Sequence, residues 1–101
     1  MTSKERSNLR SLASAAEPIG QVGKNGVSEN MIKSFSNALD ARELIKVSVL
    51  ENSEKSARET GEELAAALGA EFVAAIGKKV ILYRRSKRDI RHIEYLSLIH
   101  I

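Results

Sequence analysis

The chain has 101 residues, 43% hydrophobic and 29% charged, the balance of one soluble globular domain and not of a disordered or collagenous chain. It contains no cysteine, which removes a disulfide framework, a thiolate metal site and a thiol nucleophile together. The net charge of +3 is unevenly placed: residues 1–76 hold nine Lys/Arg against eleven Asp/Glu, and residues 77–101 hold seven against two, so one end is basic and suits a polyanionic partner.

No stretch approaches the ~20 apolar residues of a membrane span. Arg10 interrupts the one apolar run near the start, Leu9 to Ala16, which a secretory signal would need intact. A cytoplasmic protein without membrane contact is expected.

Leu9, Leu12, Ala13 and Ala16 recur at i, i+3, i+4 and i+7, predicting a first helix from about Lys4. Glu17-Pro18 is its expected stop, because the proline ring disfavours helical backbone at the residue before it. Ile19 to Val22 reads as a short strand and Gly23-Lys24-Asn25-Gly26 as a turn. Ser28 is a good N-cap and Glu29 sets a negative charge on the first turn of a second helix. Its apolar stripe is Val27, Met31, Phe35, Ala38 and Leu39. Leu44 to Leu50 alternates as a strand with Ile45, Val47 and Val49 on one face.

Asn52 or Ser53 is the expected cap of a third helix, whose buried face is Ala57, Gly61, Leu64, Ala65 and Leu68. Gly69 ends it with a left-handed residue. Glu71–Ile76 and Val80–Arg84 are strands joined by a hairpin at Gly77-Lys78-Lys79. The order α-β-α-β-α-β-β predicts an α/β two-layer sandwich with a mixed four-stranded sheet. In it, strands separated by helices pair in parallel through right-handed crossovers, and the hairpin adds an antiparallel strand. The domain is expected over residues 1–86. Residues 87–101 form a basic, then apolar tail in which Leu96 to Ile101 has no assignable partner, and a chain end is by default loosely held.

Enzyme constellations are nearly absent. His92 and His100 lie in the tail without a carboxylate pattern that would build a metal or catalytic site, so no metal or other cofactor is expected. Glu59, Glu62 and Glu63 on the third helix, with Lys55 and Arg58 nearby, have the spacing of a salt-bridged surface. The glycines say more. Gly23-Lys24-Asn25-Gly26 joins a strand to a capped helix, an arrangement in which backbone amides and the helix dipole can meet a phosphate. It lacks the longer spacing and final Lys-Ser/Thr of a Walker loop. A GxxG spacing alone is weak, since Gly20 and Gly23 make a second one, and a tight turn that needs glycine is the plain alternative.

Context adds to the loop. The stretch Gly23-Lys24-Asn25-Gly26-Val27-Ser28-Glu29 follows Pro18-Ile19 and the leucine-bearing first helix. With it come Ala38-Leu39 through Glu43-Leu44-Ile45-Lys46-Val47, and Ile76-Gly77-Lys78-Lys79-Val80-Ile81-Leu82-Tyr83-Arg84. Together these resemble the CRM domain (chloroplast RNA splicing and ribosome maturation), and more closely its stand-alone bacterial YhbY-type form, over roughly residues 3–86. The resemblance implies an α/β sandwich similar to the C-terminal domain of bacterial translation initiation factor three. It also implies a GxxG loop like that of KH domains, which clamp a nucleotide backbone, and an association with precursors of the large ribosomal subunit.

The RNA-contacting residues expected on this basis are Gly23, Lys24, Asn25 and Gly26. Lys33 lies one turn into the second helix, and Lys78, Lys79, Arg84 and Arg85 form a second basic group. Lys4, Arg6 and Arg10 are a third basic set. Whether the groups share one surface depends on strand order. Tyr83 is expected to pack at the edge of the sheet and not to stack on a base. The partner is then structured RNA, large-subunit ribosomal RNA or its precursor in a pre-ribosomal particle, bound by a monomer. The competing reading is a protein-interaction domain that uses the acidic third helix and the apolar tail, with the GKNG segment only a turn.

Overall fold

The computed structural model describes residues 2–86, and the expectations for His92, His100 and the tail from Lys87 to Ile101 lie outside them. Helix α1 (Ser3–Ala13) begins at Thr2 with a reciprocal cap: the Thr2 hydroxyl accepts from the Glu5 amide at 3.1 Å, and the Glu5 carboxylate accepts from the Thr2 amide at 2.9 Å. The helix stops at Ser14, before Pro18 is reached. There the serine hydroxyl turns back onto the Ser11 carbonyl at 2.7 Å, offering the backbone an alternative to the helix. Its buried stripe is therefore shorter than expected. Leu9 and Ala13 are buried, Leu12 is 44% exposed, and Ala16 lies beyond the helix.

Strand β1 (Gln21–Val22) is brief, and extended backbone before it already donates from the Ile19 amide to the Lys46 carbonyl at 2.8 Å. Helix α2 (Glu29–Arg42) is capped by Ser28 as expected, the hydroxyl accepting from the Met31 amide at 3.2 Å. Strand β2 (Leu44–Val49) alternates as expected, with Ile45, Val47 and Val49 buried. Helix α3 (Ala57–Leu68) is capped by Ser56, not by Asn52 or Ser53. Ser56-Ala57-Arg58-Glu59 is a complete capping box, which two reciprocal hydrogen bonds favour over an earlier lone cap. Gly69 ends the helix at φ 62°.

Strands β3 (Glu71–Ile76) and β4 (Lys79–Tyr83) form the hairpin, and the sheet order is β1-β2-β4-β3. The β1–β2 pair is parallel, whereas β4 runs antiparallel to both of its neighbours. The mixed sheet stands, but β2 and β3 are not parallel neighbours, because β4 inserts between them. That insertion also moves Tyr83 from the expected edge to an interior strand, where it is buried.

Helices α2 and α3 cover one face of the sheet. Val22, Ile45, Val47, Val49, Val80 and Leu82 meet Phe35, Leu39, Leu64, Ala65 and Leu68 there. To this two-layer sandwich α1 adds a helix on the opposite face, where Leu9 and Ala13 rest on Val73, Ile81 and Tyr83. A bulge between Phe72 and Ala74 breaks the strand alternation and turns both Val73 and Ala74 toward α1. Gly61 lets α3 approach the sheet closely, since a Cβ there would sit 2.8 Å from Val80 Cγ1 and also against the Phe72 ring. Among the described residues no helix is long and apolar enough to cross a membrane.

Candidate nucleic-acid interface

Strands β1, β2 and β3 point the same way, so the segments that follow them and the start of β4 gather along one rim. The Gly23–Gly26 turn follows β1, residues Leu50 to Ser56 follow β2, and Gly77-Lys78 joins β3 to β4. Backbone bonds tie the three together. The Leu50 amide donates to the Val22 carbonyl at 2.8 Å, and the Val49 amide donates to the Lys78 carbonyl at 2.7 Å. Lys24, Asn25, Lys78 and Lys79 are thereby brought to one end of the sheet. Two strand spacings, about 10 Å, separate the line of β1 from that of β4.

The turn closes on a hydrogen bond from the Gly26 amide to the Gly23 carbonyl at 3.0 Å. Gly26 needs glycine for its conformation alone: φ is 70°, yet an added Cβ would meet nothing within 4 Å. At Gly23 space is tight, because a Cβ would come within 3.3 Å of both Leu50 Cδ1 and Asn52 Oδ1, and those side chains would have to give by a few tenths of an ångström. These constraints leave Lys24 and Asn25 exposed at the tip, ahead of the Ser28-capped start of α2. Lys33 is exposed one turn further along the helix.

Lys79 is exposed, and Lys78 is paired with Glu51 of the β2–α3 segment. The hydrogen bond and charge of Lys78 hold the Glu51 carboxyl below its ordinary value. Beside the loop lies a cleft of about 230 Å³ between the loop and α3, lined among others by Lys24, Asn25, Val27, Ser53, Lys55 and Thr60. Thr60 is 1% exposed, and its Oγ1 has no hydrogen-bond partner among the described residues. Lys55 and Thr60 were not singled out as loop neighbours by sequence, because no short-range spacing connects positions so far apart in the chain.

The outer surface of α3 is salt-bridged as expected, with Lys55–Glu63 at 2.9 Å and Arg58–Glu62 at 3.3 Å. Glu63 raises the Lys55 ammonium above its ordinary value through a hydrogen bond and its charge. Among the described residues no group of three His, Cys, Asp or Glu is placed to hold a metal ion.

Arg84 and Arg85 do not join the rim. They follow the far end of β4, five strand residues and about 17 Å from Lys79. Arg84 is moreover a fold residue. Its guanidinium donates to the Leu68 carbonyl at 2.8 Å, the Ser36 carbonyl at 2.9 Å and Asp40 Oδ1 at 3.1 Å, clamping α2 and α3 to the end of β4. Arg85 is exposed beside it.

Comparison with known proteins gives three concordant matches. A family model described as the CRS1 / YhbY (CRM) domain matches residues 1–84. A Bacillus subtilis (strain 168) protein, named "Probable RNA-binding protein YqeI", is 46% identical over 89 residues, which cover 88% of this chain and 93% of that protein. The solution structure of the hypothetical protein SAV1595 from Staphylococcus aureus, described as a candidate RNA binder, superposes with a TM-score of 0.75 at 44% identity. That match covers 89% of this chain and 94% of the other.

Proposed function

The chain belongs to the CRS1/YhbY (CRM) domain family, and on that premise we propose that it is a non-enzymatic RNA-binding module of the cytoplasm. It holds structured RNA by the Gly23–Gly26 loop and the lysines along the same rim. The observation that carries this reading is the convergence of Lys24, Asn25, Lys78 and Lys79 on one end of the sheet, although they come from two separate turns. Glycine at 23 and 26 lets the backbone come close to a phosphate, Lys24 and Lys79 neutralise charge, and Asn25 offers an amide to a sugar or base. Lys33 extends the phosphate track along α2. Arg84 is left out of the contact set because its guanidinium already serves the α2–α3 clamp.

Few aromatic side chains are available, and the buried Tyr83 cannot present a stacking face. Recognition then follows RNA shape and backbone more than base sequence. Large-subunit ribosomal RNA or its precursor is the partner we assign, with the monomer acting during subunit assembly. The protein-interaction reading is weaker. Glu59, Glu62 and Glu63 on α3 are already paired with Ser56, Arg58 and Lys55, and a protein partner would have to compete with those contacts.

A salt series of binding tests the assignment, run on large-subunit ribosomal RNA beside an unstructured RNA. Phosphate-dominated binding predicts log affinity falling linearly with log salt, with a slope that counts the neutralised phosphates. It also predicts tighter binding to the structured RNA. No binding to either RNA at moderate salt would remove the assignment.

A further inference from the structure

The ladder register carries the rim onto an open face of the sheet. Gln21 of β1 pairs with Ser48 of β2, Ser48 with Lys79 of β4, and Lys79 with Ile76 of β3. These four side chains form one straight row across all the strands. Their chain neighbours Val22, Val47, Val49 and Val80 point into the α2–α3 core, so the row lies on the opposite, α1 side. Helix α1 stops short of it. The next row inward, Lys46–Ile81–Ala74, is where its cover ends, with Lys46 Nζ donating to the Ser14 carbonyl at 3.4 Å and Ile81 buried with Leu9 and Ala13. Among the described residues nothing covers the outer row. Gln21 and Lys79 are exposed, Ile76 is 48% exposed, and Ser48 is half-buried.

Its chemistry matches a nucleic-acid strand better than a protein. Three strand spacings give a length of about 14 Å. Along it lie an amide and a hydroxyl that can meet phosphate oxygens or a ribose 2′-hydroxyl, one ammonium, and a single apolar side chain for a ribose or base face. One isoleucine does not make the contiguous apolar patch on which a protein partner would dock.

The charge of the two layers decides the direction. Helix α1, which shares this side, carries Lys4, Arg6 and Arg10 against Glu5. Residues 54–68 on the other side carry Glu54, Glu59, Glu62 and Glu63 against Lys55 and Arg58. A polyanion leaving the loop is therefore drawn over the α1 side and repelled from α3. We propose that the row Gln21–Ser48–Lys79–Ile76 is a second segment of the RNA site, holding the backbone of the strand that leaves the Gly23–Gly26 loop. It rests on the RNA-binding reading above.

The test compares charge placed on the two faces, using a labelled large-subunit ribosomal RNA fragment. Gln21→Glu/Ile76→Glu alters two exposed ends of the row, and Arg58→Glu makes the same change of two charges at an exposed position in the first turn of α3, at the rim end. The row variant should lose about tenfold or more in affinity with an unchanged circular dichroism spectrum, the α3 variant about twofold or less. In parallel, amide shifts of the wild-type chain on RNA addition should appear at Gln21, Ser48, Ile76 and Lys79 and not along α3, a readout that does not depend on a variant folding. If the row variant binds like wild type, or the row amides stay still, while Lys24→Ala/Asn25→Ala abolishes binding, the row is bare and the loop reading survives. Equal losses in both acidic variants would reduce the row to general charge and overturn it. A wild-type chain that binds no RNA would remove both readings.

Discussion

Single side chains in this molecule divide between those that hold the backbone and those left free at the rim. Arg84 belongs to the first group although its charge resembles that of Lys79. Arg84→Ala removes charge-assisted donors from the Leu68 and Ser36 carbonyls and from Asp40, and a lost hydrogen bond of this kind typically costs about 1.5–3 kcal/mol. Urea unfolding should show that loss, with RNA affinity of the folded fraction within about twofold of wild type at a fixed salt concentration. Glu51 is the converse case, an exposed carboxylate that occupies Lys78.

Glu51→Gln should leave stability nearly unchanged and free Lys78 for phosphate. Affinity should then rise and the log–log salt slope steepen by up to about one. Acidification should mimic it in part. Because the folded carboxyl lies below its ordinary value, the ion pair is intact above the unfolded value and is lost as pH falls through the folded one. An affinity for RNA that is unmoved by Glu51→Gln would mean that Lys78 makes no contact.

Elements explain why some features were legible in sequence and others were not. The alternation of β2, the Ser28 cap and the Gly69 stop are local patterns, and each is present as read. The cap of α3 was also written locally, in Ser56-x-x-Glu59, but a nearer Asn52 and Ser53 competed for the same reading. The left-handed residue that ends α2 is not glycine but Glu43, at φ 66°. This residue is fully buried and its carboxylate accepts from the Ser86 amide at 2.6 Å. A contact across 43 residues leaves no mark on local pattern, and the same holds for Arg84.

The close packing of α3 on the sheet gives the element-scale prediction. Gly61→Ala gains helix propensity of about 0.8–1.0 kcal/mol. It also forces the new methyl against Val80 and Phe72, and overpacking of this kind costs about 1–3 kcal/mol. The balance should be destabilising, visible as a lower denaturant midpoint. A Gly61→Ala protein more stable than wild type would show that the helix can lift off the sheet at little cost.

At the scale of the whole molecule, strand order is what assembles the candidate site, and it is the least accessible to sequence. Placing β4 between β2 and β3 sets Lys78 and Lys79 near the Gly23–Gly26 loop and sends Arg84 and Arg85 to the other end. The basic group read as one cluster along the chain is thus split by about 17 Å, the length of β4. The glycine spacing itself could not separate a binding loop from a tight turn. Both accept φ above zero at Gly26, and what the structure adds is the set of neighbours that β2 and the hairpin place beside the turn.

Whether the loop end of the sheet or the Arg84 end holds RNA is decided by two matched variants titrated with large-subunit ribosomal RNA. Lys24→Ala/Asn25→Ala alters two exposed tip residues, and Arg85→Ala removes an exposed charge at the opposite end. With RNA at the loop end, the loop variant keeps the wild-type circular dichroism spectrum and loses about tenfold or more in affinity, while Arg85→Ala changes it by no more than about twofold. Wild-type affinity in the loop variant, with the loss appearing in Arg85→Ala, would contradict that placement and put the RNA at the other end of the sheet.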